Sequence, residues 1–187
     1  MADFDVVNQS LELIAAQTQI TALNDGSAAA NAALVLFQPT VNVVLREIDP
    51  AFARRTAVLA LSAAATPIVP WAFEYLYPAD CIRVRQIRPP AASVVADDPQ
   101  PVRAAVAVDV IAATTTKVIL TNQAGALVVY TSSIATEPQW DSGFREAVVR
   151  RLANPLAMAL AARPDFAREL LQESEQYAQL AEAIDEY

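Results

Sequence analysis

The chain has 187 residues, 55% of them apolar and only 18% charged, with a formal net charge of −8. That length is enough for one sizeable core, and the acidic balance lacks the basic footprint of an ordinary nucleic-acid binder. A single cysteine, Cys81, excludes an intrachain disulfide framework, and the lack of histidine excludes a Ser-His-Asp or Cys-His nucleophile system within one chain.

The opening MADFDVVNQS lacks the basic and apolar regions of a secretory signal, so none is predicted. From Asp5 to Ala16, Val6, Val7, Leu11 and Ile14 recur at helical spacing and predict a first helix. Asn24-Asp25-Gly26 then breaks the chain, and Ser27 is a candidate N-cap for a second helix over Ala28 to Ile48. Pro39 is expected to kink or split that helix. Asp49-Pro50 reads as the cap and first position of a third helix with the body AFARRTAVLALS, burying Phe52, Val58, Leu59 and Leu61 and exposing Arg54 and Arg55. Gly26–Leu45 and Thr56–Phe73 are long uncharged stretches. Their polar residues and prolines make a poor fit to a membrane span.

The pattern changes between Pro67 and Pro101, which include seven prolines. CIRVRQI alternates, placing Ile82 and Val84 on one face and Arg83 and Arg85 on the other. VRAAVAVDVIA, TKVIL and ALVVYTSS predict further strands, with TNQAG as a hairpin loop. The expected product is one antiparallel sheet of three or four strands, with PPAASVVADDPQP as an exposed loop.

Helical spacing returns after Trp140, where Phe144, Val148, Leu152, Leu156 and Leu160 fall four residues apart. Pro155 is expected to bend this helix. Pro164 opens a last one, with Phe166, Leu170, Tyr177, Ala181 and Ile184 on its apolar side. From Pro164 to Tyr187 there are seven acids and one base, so this segment carries −6 of the net charge. The fold class expected is α+β: a single domain whose terminal helices (1–66 and 141–187) form a bundle around an inserted small antiparallel sheet (67–140).

Three scattered glycines cannot build a phosphate-cradling loop, and no cofactor or metal is expected. Lys117 reads as a solvated strand lysine, and the carboxylate pairs Asp97-Asp98 and Asp185-Glu186 read as loop and tail charges. Within WAFEYLYPADCIRVRQI, Tyr75 and Tyr77 can bury their rings and keep a hydroxyl for a partner. Pro78 fixes the turn, and Asp80 can accept backbone donors there. Arg83 and Arg85 are candidates for pairing with carboxylates of a neighbouring copy.

With catalytic chemistry so sparse, the pattern of the whole chain becomes the informative feature. LELIAAQTQITALNDGS, DPAFARRTAVLAL, WAFEYLYPADCIRVRQI, LVVYTSSIATEPQWDSGFREAVVRRLANPLAMAL and EQYAQLAEAIDEY, in that order, resemble the head-to-tail adaptor of tailed bacteriophages, the tail tubular protein A family of short-tailed phages. The family often has a tryptophan just before the Phe-Ala pair, where this chain reads IDPAFA.

The resemblance implies a virion protein and not an enzyme. It implies a homo-oligomeric ring of about twelve copies between the portal protein and the next tail component or nozzle, extending the channel through which double-stranded DNA leaves. Carried to this chain, Phe166, Leu170, Tyr177, Ile184 and Tyr187 become candidate portal contacts. Arg83, Arg85, Tyr75 and Tyr77, with the strand region around Ile82–Ile87 and Val102–Thr131, become candidate subunit or tail-side contacts. The alternatives are a helical head-completion connector of a long-tailed phage, a small carboxylate-dependent hydrolase or lyase, and a cytosolic binding domain for a small ligand.

Overall fold

The computed structural model describes residues 3–16, 19–63, 68–90, 102–111, 114–134, 139–161, 172–177 and 179. The protein is of mixed helix and strand, with small antiparallel sheets, as the α+β expectation requires. It divides into two compact units: residues 1–53 with 134–187, and residues 54–133.

The first unit holds α1 (Asp3–Leu13), α2 (Ala28–Ile48) and α3 (Ser142–Leu156). Ser27 caps α2 as its sequence suggests, accepting the Ala30 amide at 3.0 Å. Asp141 caps α3 in the same way, accepting the Phe144 amide at 2.7 Å. The helix α3 packs against both α1 and α2. Phe144, Val148, Leu152 and Leu156 of α3 are fully buried, as are Val6, Val7 and Leu11 of α1. The buried Ser10 hydroxyl lies 2.9 Å from the Val149 carbonyl and 3.0 Å from that of Val6, which ties α1 to α3. Asn8 fixes the chain beyond α1 by accepting the Ile20 amide at 2.8 Å and donating to its carbonyl at 2.9 Å.

An aromatic chain completes this core. Phe52 meets Phe144 edge-on at 5.1 Å, Phe144 meets Trp140 edge-on at 5.0 Å, and Trp140 stacks on Phe37 at 6.4 Å. Trp140 is therefore the tryptophan of this cluster. Trp71 belongs to the second unit, where the Arg103 guanidinium lies 5.5 Å over its ring.

Neither proline splits its helix. The helix α2 runs through Pro39, where the Thr40 hydroxyl donates to the Leu36 carbonyl at 2.8 Å, one turn back. After Pro155, α3 passes into a π-helical turn over Ala157–Ala161, with the Ala157 amide directed at the carbonyls of Ala153 and Asn154. That wider turn takes Leu160 off the stripe, and it is exposed while the four preceding stripe residues are buried. By length and hydropathy α2 could cross a membrane. Nine of its residues, including Ala33, Phe37, Val41, Val44 and Ile48, are buried within the protein instead.

The third helix is not formed. Asp49 is the C-cap of α2, in the left-handed region at φ 54°, and Ala51–Ala53 make a single 3-10 turn. The chain then enters β1 (Arg54–Val58). Two consecutive arginines and a β-branched Thr56 follow the turn, and pairing to another strand outweighs the helical tendency of the alanines. Leu59 is buried as expected, whereas Val58 and Leu61 are exposed and Phe52 is half-buried.

The second unit adds β2 (Phe73–Leu76), β3 (Cys81–Arg88), β4 (Ala104–Ile111), β5 (Thr114–Thr121) and β6 (Leu127–Ser132). In place of one sheet there are two, each with three antiparallel strands, ordered β1-β6-β3 and β2-β5-β4. TNQAG is accordingly not a hairpin loop, because β5 and β6 lie in different sheets. Residues 122–126 carry the chain from one sheet to the other, with Gly125 at φ 63° making the turn. Tyr75, Ile87, Ile119, Val128 and Tyr130 draw on both sheets to form one core with Leu59 and Ala126.

Phe144→Ala should remove the centre of the helical unit and cost about 3–5 kcal/mol in urea unfolding. Leu160→Ala, one stripe position past the π turn, should stay within about 0.5 kcal/mol of the parent.

Candidate functional site

The segment from Trp71 to Arg88 contains β2, a turn and β3, and it carries most of the side chains singled out in the sequence. Tyr75 is 1% exposed. Its hydroxyl donates to the Gln123 carbonyl at 2.9 Å and accepts the Gly125 amide at 2.9 Å. Both functions of the hydroxyl are spent on the connection between the sheets, so Tyr75 is an internal clamp and not an interface residue with a free polar end. Tyr77 is half-buried, with the Lys117 ammonium 5.5 Å over its ring and a hydrogen bond to the Cys81 thiol. Burial pushes the Cys81 thiol up, against which the Tyr77 bond works, so this cysteine is not set up as a nucleophile.

Pro78-Ala79-Asp80 makes the turn, and Asp80 turns out to be its central group. Its carboxylate accepts Ser132 Oγ at 2.6 Å and the Tyr130 hydroxyl at 3.0 Å, while its carbonyl accepts the Ser133 amide at 2.8 Å. Two hydroxyls of β6 thus join a backbone donor, the amide of Asp80 itself, at the carboxylate. Burial raises the affinity of this carboxyl for a proton, but the bonds from Ser132 and Tyr130 outweigh it, helped by the charge of Arg55, and the pKa falls below the ordinary aspartate value. The Tyr130 hydroxyl is correspondingly pushed up, by burial and by the Asp80 carboxylate. This arrangement locks the turn onto the sheet. The signal was present in the sequence as Tyr130-Thr131-Ser132, which places two hydroxyls on one face of a strand.

The simple alternation of CIRVRQI is broken. Register shifts between Cys81 and Arg83 and between Val84 and Gln86 leave Ile82 and Arg85 as the extra residues of two bulges. Cys81, Val84 and Ile87 consequently pack on the core, three residues apart, and Ile82 does not share a face with Val84 as expected. Arg83 is exposed and Arg85 is half-buried, its Nε donating to Thr131 Oγ1 at 2.8 Å. Glu74, beside Tyr75, is buried with neither carboxylate oxygen partnered, and nothing in the structure accounts for it.

Of the expected portal contacts, Phe166, Leu170, Ile184 and Tyr187 lie outside the described residues, as do Asp97-Asp98 and Asp185-Glu186. Tyr177 is described. It is half-buried, with the Arg150 guanidinium 4.3 Å over its ring, and Arg150 also pairs with Glu173. Lys117 is exposed on β5 as expected.

Apolar surface also stands uncovered on α2 and on β4, and two hollows accompany it; β4 lies within the expected contact region Val102–Thr131, whereas the α2 surface and the hollows were not expected from the sequence. On α2, Leu34 and Val35 are 59% and 70% exposed. On β4, an edge strand, Val106, Val108 and Val110 form an alternating row that is 54%, 59% and 64% exposed. A 270 Å³ hollow lined by Val84, Ile87, Val102, Val106 and Ile119 opens beside that edge. A 320 Å³ groove in the helical unit is lined by Leu36, Pro39, Thr40 and Val43 of α2 and by Arg151, Asn154 and Pro155 of α3. The β4 row was legible as the alternate valines of AVAVDVI. Among the described residues no group of three or more His, Cys, Asp or Glu side chains is placed to hold a metal ion.

No family model matches the chain, and comparison with curated proteins finds no significant relative.

Asp80→Ala would leave two buried hydroxyls without their acceptor and should cost about 1–3 kcal/mol. The native carboxyl has its pKa lowered, so its contribution is complete above about pH 4 and is lost as pH falls through the lower folded value. The parent's advantage over the variant in thermal melting should accordingly shrink between pH 7 and pH 2.5. A constant gap would contradict the assigned role.

Proposed function

We propose that this protein is a structural component of a phage particle, a head-to-tail adaptor that forms a ring between the portal protein and the next tail component. In this reading α1, α2 and α3 belong to the bundle of the adaptor, and the sheet unit is its insertion. The observation that carries the proposal is apolar surface left uncovered in both units, Leu34 and Val35 on α2 and the row Val106, Val108 and Val110 on β4. Scattered exposed apolar residues are ordinary, but a row on an unpaired strand edge is an aggregation hazard unless something covers it. A partner strand or helix laid against β4 would cover it. The order of segments resembling the adaptor family supplies the kind of assembly.

The reading places the protein in the virion at the head-tail junction after synthesis in the host cytoplasm, with no cofactor and no membrane. Double-stranded DNA would pass through the lumen without specific binding. A dozen copies at −8 each would repel a phosphate backbone, as suits a duct in which a duplex must slide.

Val106→Lys combined with Val110→Lys should leave stability within about 0.5 kcal/mol of the parent, since both side chains already face water. Particles assembled with it should nevertheless fail to join the next tail component. Normal tailed particles would remove the role of the row, and absence of the parent protein from purified virions would remove the whole reading. Salt titrations of the parent with duplex DNA should give no measurable binding at physiological salt, and a sub-micromolar affinity would contradict the sliding duct.

A further inference from the structure

The strand β4 lies at the edge of its sheet, and the neighbouring ladder shows which of its backbone groups face outward. The Tyr77 amide donates to the Lys117 carbonyl at 3.3 Å, one residue beyond the last β2–β5 partners, Leu76 and Val118. Odd-numbered residues of β5 therefore address β2, and even-numbered ones address β4. The β4 partners of those even residues are Ala105, Ala107, Asp109 and Ile111. Ala104, Val106, Val108 and Val110 thus turn their amides and carbonyls away from β5, toward the edge. The Val110 amide agrees, since it donates to the Asp109 carboxylate at 2.7 Å.

The same alternation sorts the side chains. Val106, Val108 and Val110 share one face, and Ala105, Ala107 and Asp109 share the other. Arg103, just before the strand, has the parity of the second face. Arg103 and Asp109 are the only charged residues from Val102 to Ile111, and each lies three residues from Val106. Arg103 is exposed, with its guanidinium 5.5 Å over the Trp71 ring, and Asp109 is half-buried. The Trp71 ring and the Val110 amide do not match an arginine fork to a carboxylate, which is the stronger contact for both groups.

We propose that β4 pairs antiparallel with β4 of a second copy about a two-fold axis through Val106, so that Arg103 of each copy faces Asp109 of the other. In that register Val106 meets Val106, Ala104 meets Val108 and Val102 meets Val110. The outward amides and carbonyls then close a ladder, and the valine row continues across the seam. Val102 also lines the 270 Å³ hollow, so Val110 of the other copy arrives at its mouth. Arg103 and Asp109 fall in non-hydrogen-bonded pairs, where side chains come closest. Sliding one strand by two residues keeps the ladder but separates these charges, and a parallel in-register pair sets like charges side by side. Charge therefore selects one register and one sense. The pairing is that of the free chain and goes beyond the adaptor reading, in which the same edge meets a tail component. A two-fold contact closes at two copies and is distinct from the contact of a ring. It keeps an apolar edge covered until a tail component replaces it.

The test is sedimentation equilibrium of the full chain, of Arg103→Asp, of Asp109→Arg and of the double variant, with circular dichroism to check folding. The parent should form dimers. Each single variant sets like charges at both ends of the seam and should weaken the dimer at least about tenfold. The double variant puts opposite charges back, and so does an equimolar mixture of the two single variants, so both should associate again. A parent that stays monomeric would leave the edge to a strand of another protein and overturn the pairing. Single variants that dimerise like the parent, or a double variant and a mixture that both stay monomeric, would overturn it too.

If a charge variant does not fold, oxidation decides. In a Cys81→Ala background, Val106→Cys places its thiol on the axis, with about 5.5 Å between the two Cα atoms, and should yield a covalent dimer. Val108→Cys lies about 13 Å from its counterpart along the ladder and should not. Cross-linking of both alike, or of neither, overturns the register. These outcomes are read on the free protein in solution, whereas the adaptor reading stands or falls on the presence of the protein in virions, so either can fail alone.

Discussion

Dividing 187 residues into two compact units limits how much apolar surface each can bury. A chain that is 55% apolar and builds two small cores has side chains left over, and the structure leaves them in rows. The buried faces of α1, α2 and α3 account for the stripe of Phe144, Val148, Leu152 and Leu156, yet Leu34 and Val35 of α2 point elsewhere. In the sheet unit, the single core between the two sheets takes the inward side chains of β5 and β6, but β4 reaches beyond it with three valines exposed. An interpretation in which further copies or partners complete the burial follows from this constraint more directly than one in which a small ligand does.

Both units are held by a few polar groups at places where the chain changes direction. Tyr75 fixes the crossing from β5 to β6, and Asp80 fixes the turn from β2 to β3 against the end of β6. Each spends its hydrogen bonds on neighbours far away in sequence, so their first role is internal. The aromatic crowding of WAFEYLYP thus has an internal explanation. Of the five arginines in the β1-β6-β3 sheet, four (Arg54, Arg55, Arg83 and Arg88) stand exposed to water.

What the sequence disclosed depended on whether the relevant signal was local. Helix α2 appears with the expected bounds because Ser27 caps it and its apolar period is unbroken, and Pro39 alone does not outweigh the tertiary packing of Phe37, Val41 and Val44. The stretch after Pro50 misled because alanines and leucines favour helix locally, while the strand β1 exists only through pairing with β6, more than sixty residues away. Alternation in CIRVRQI failed for a related reason. Its two bulges are set by the register with β6, and a period of three in place of two cannot be anticipated from the strand alone. The division into two sheets was hidden in the same way, because a loop of hairpin length says nothing of whether its flanking strands pair.

Charge asymmetry gives the apolar surplus a direction. Apolar rows alone promote association without specifying how copies are oriented, and unpaired sheet edges invite disordered aggregation. Residues 54–133, with seven bases and five acids, carry +2 and the rest of the chain −10, so the acidity lies with the helical unit, and charge of this kind can orient an association that apolar burial alone leaves undirected.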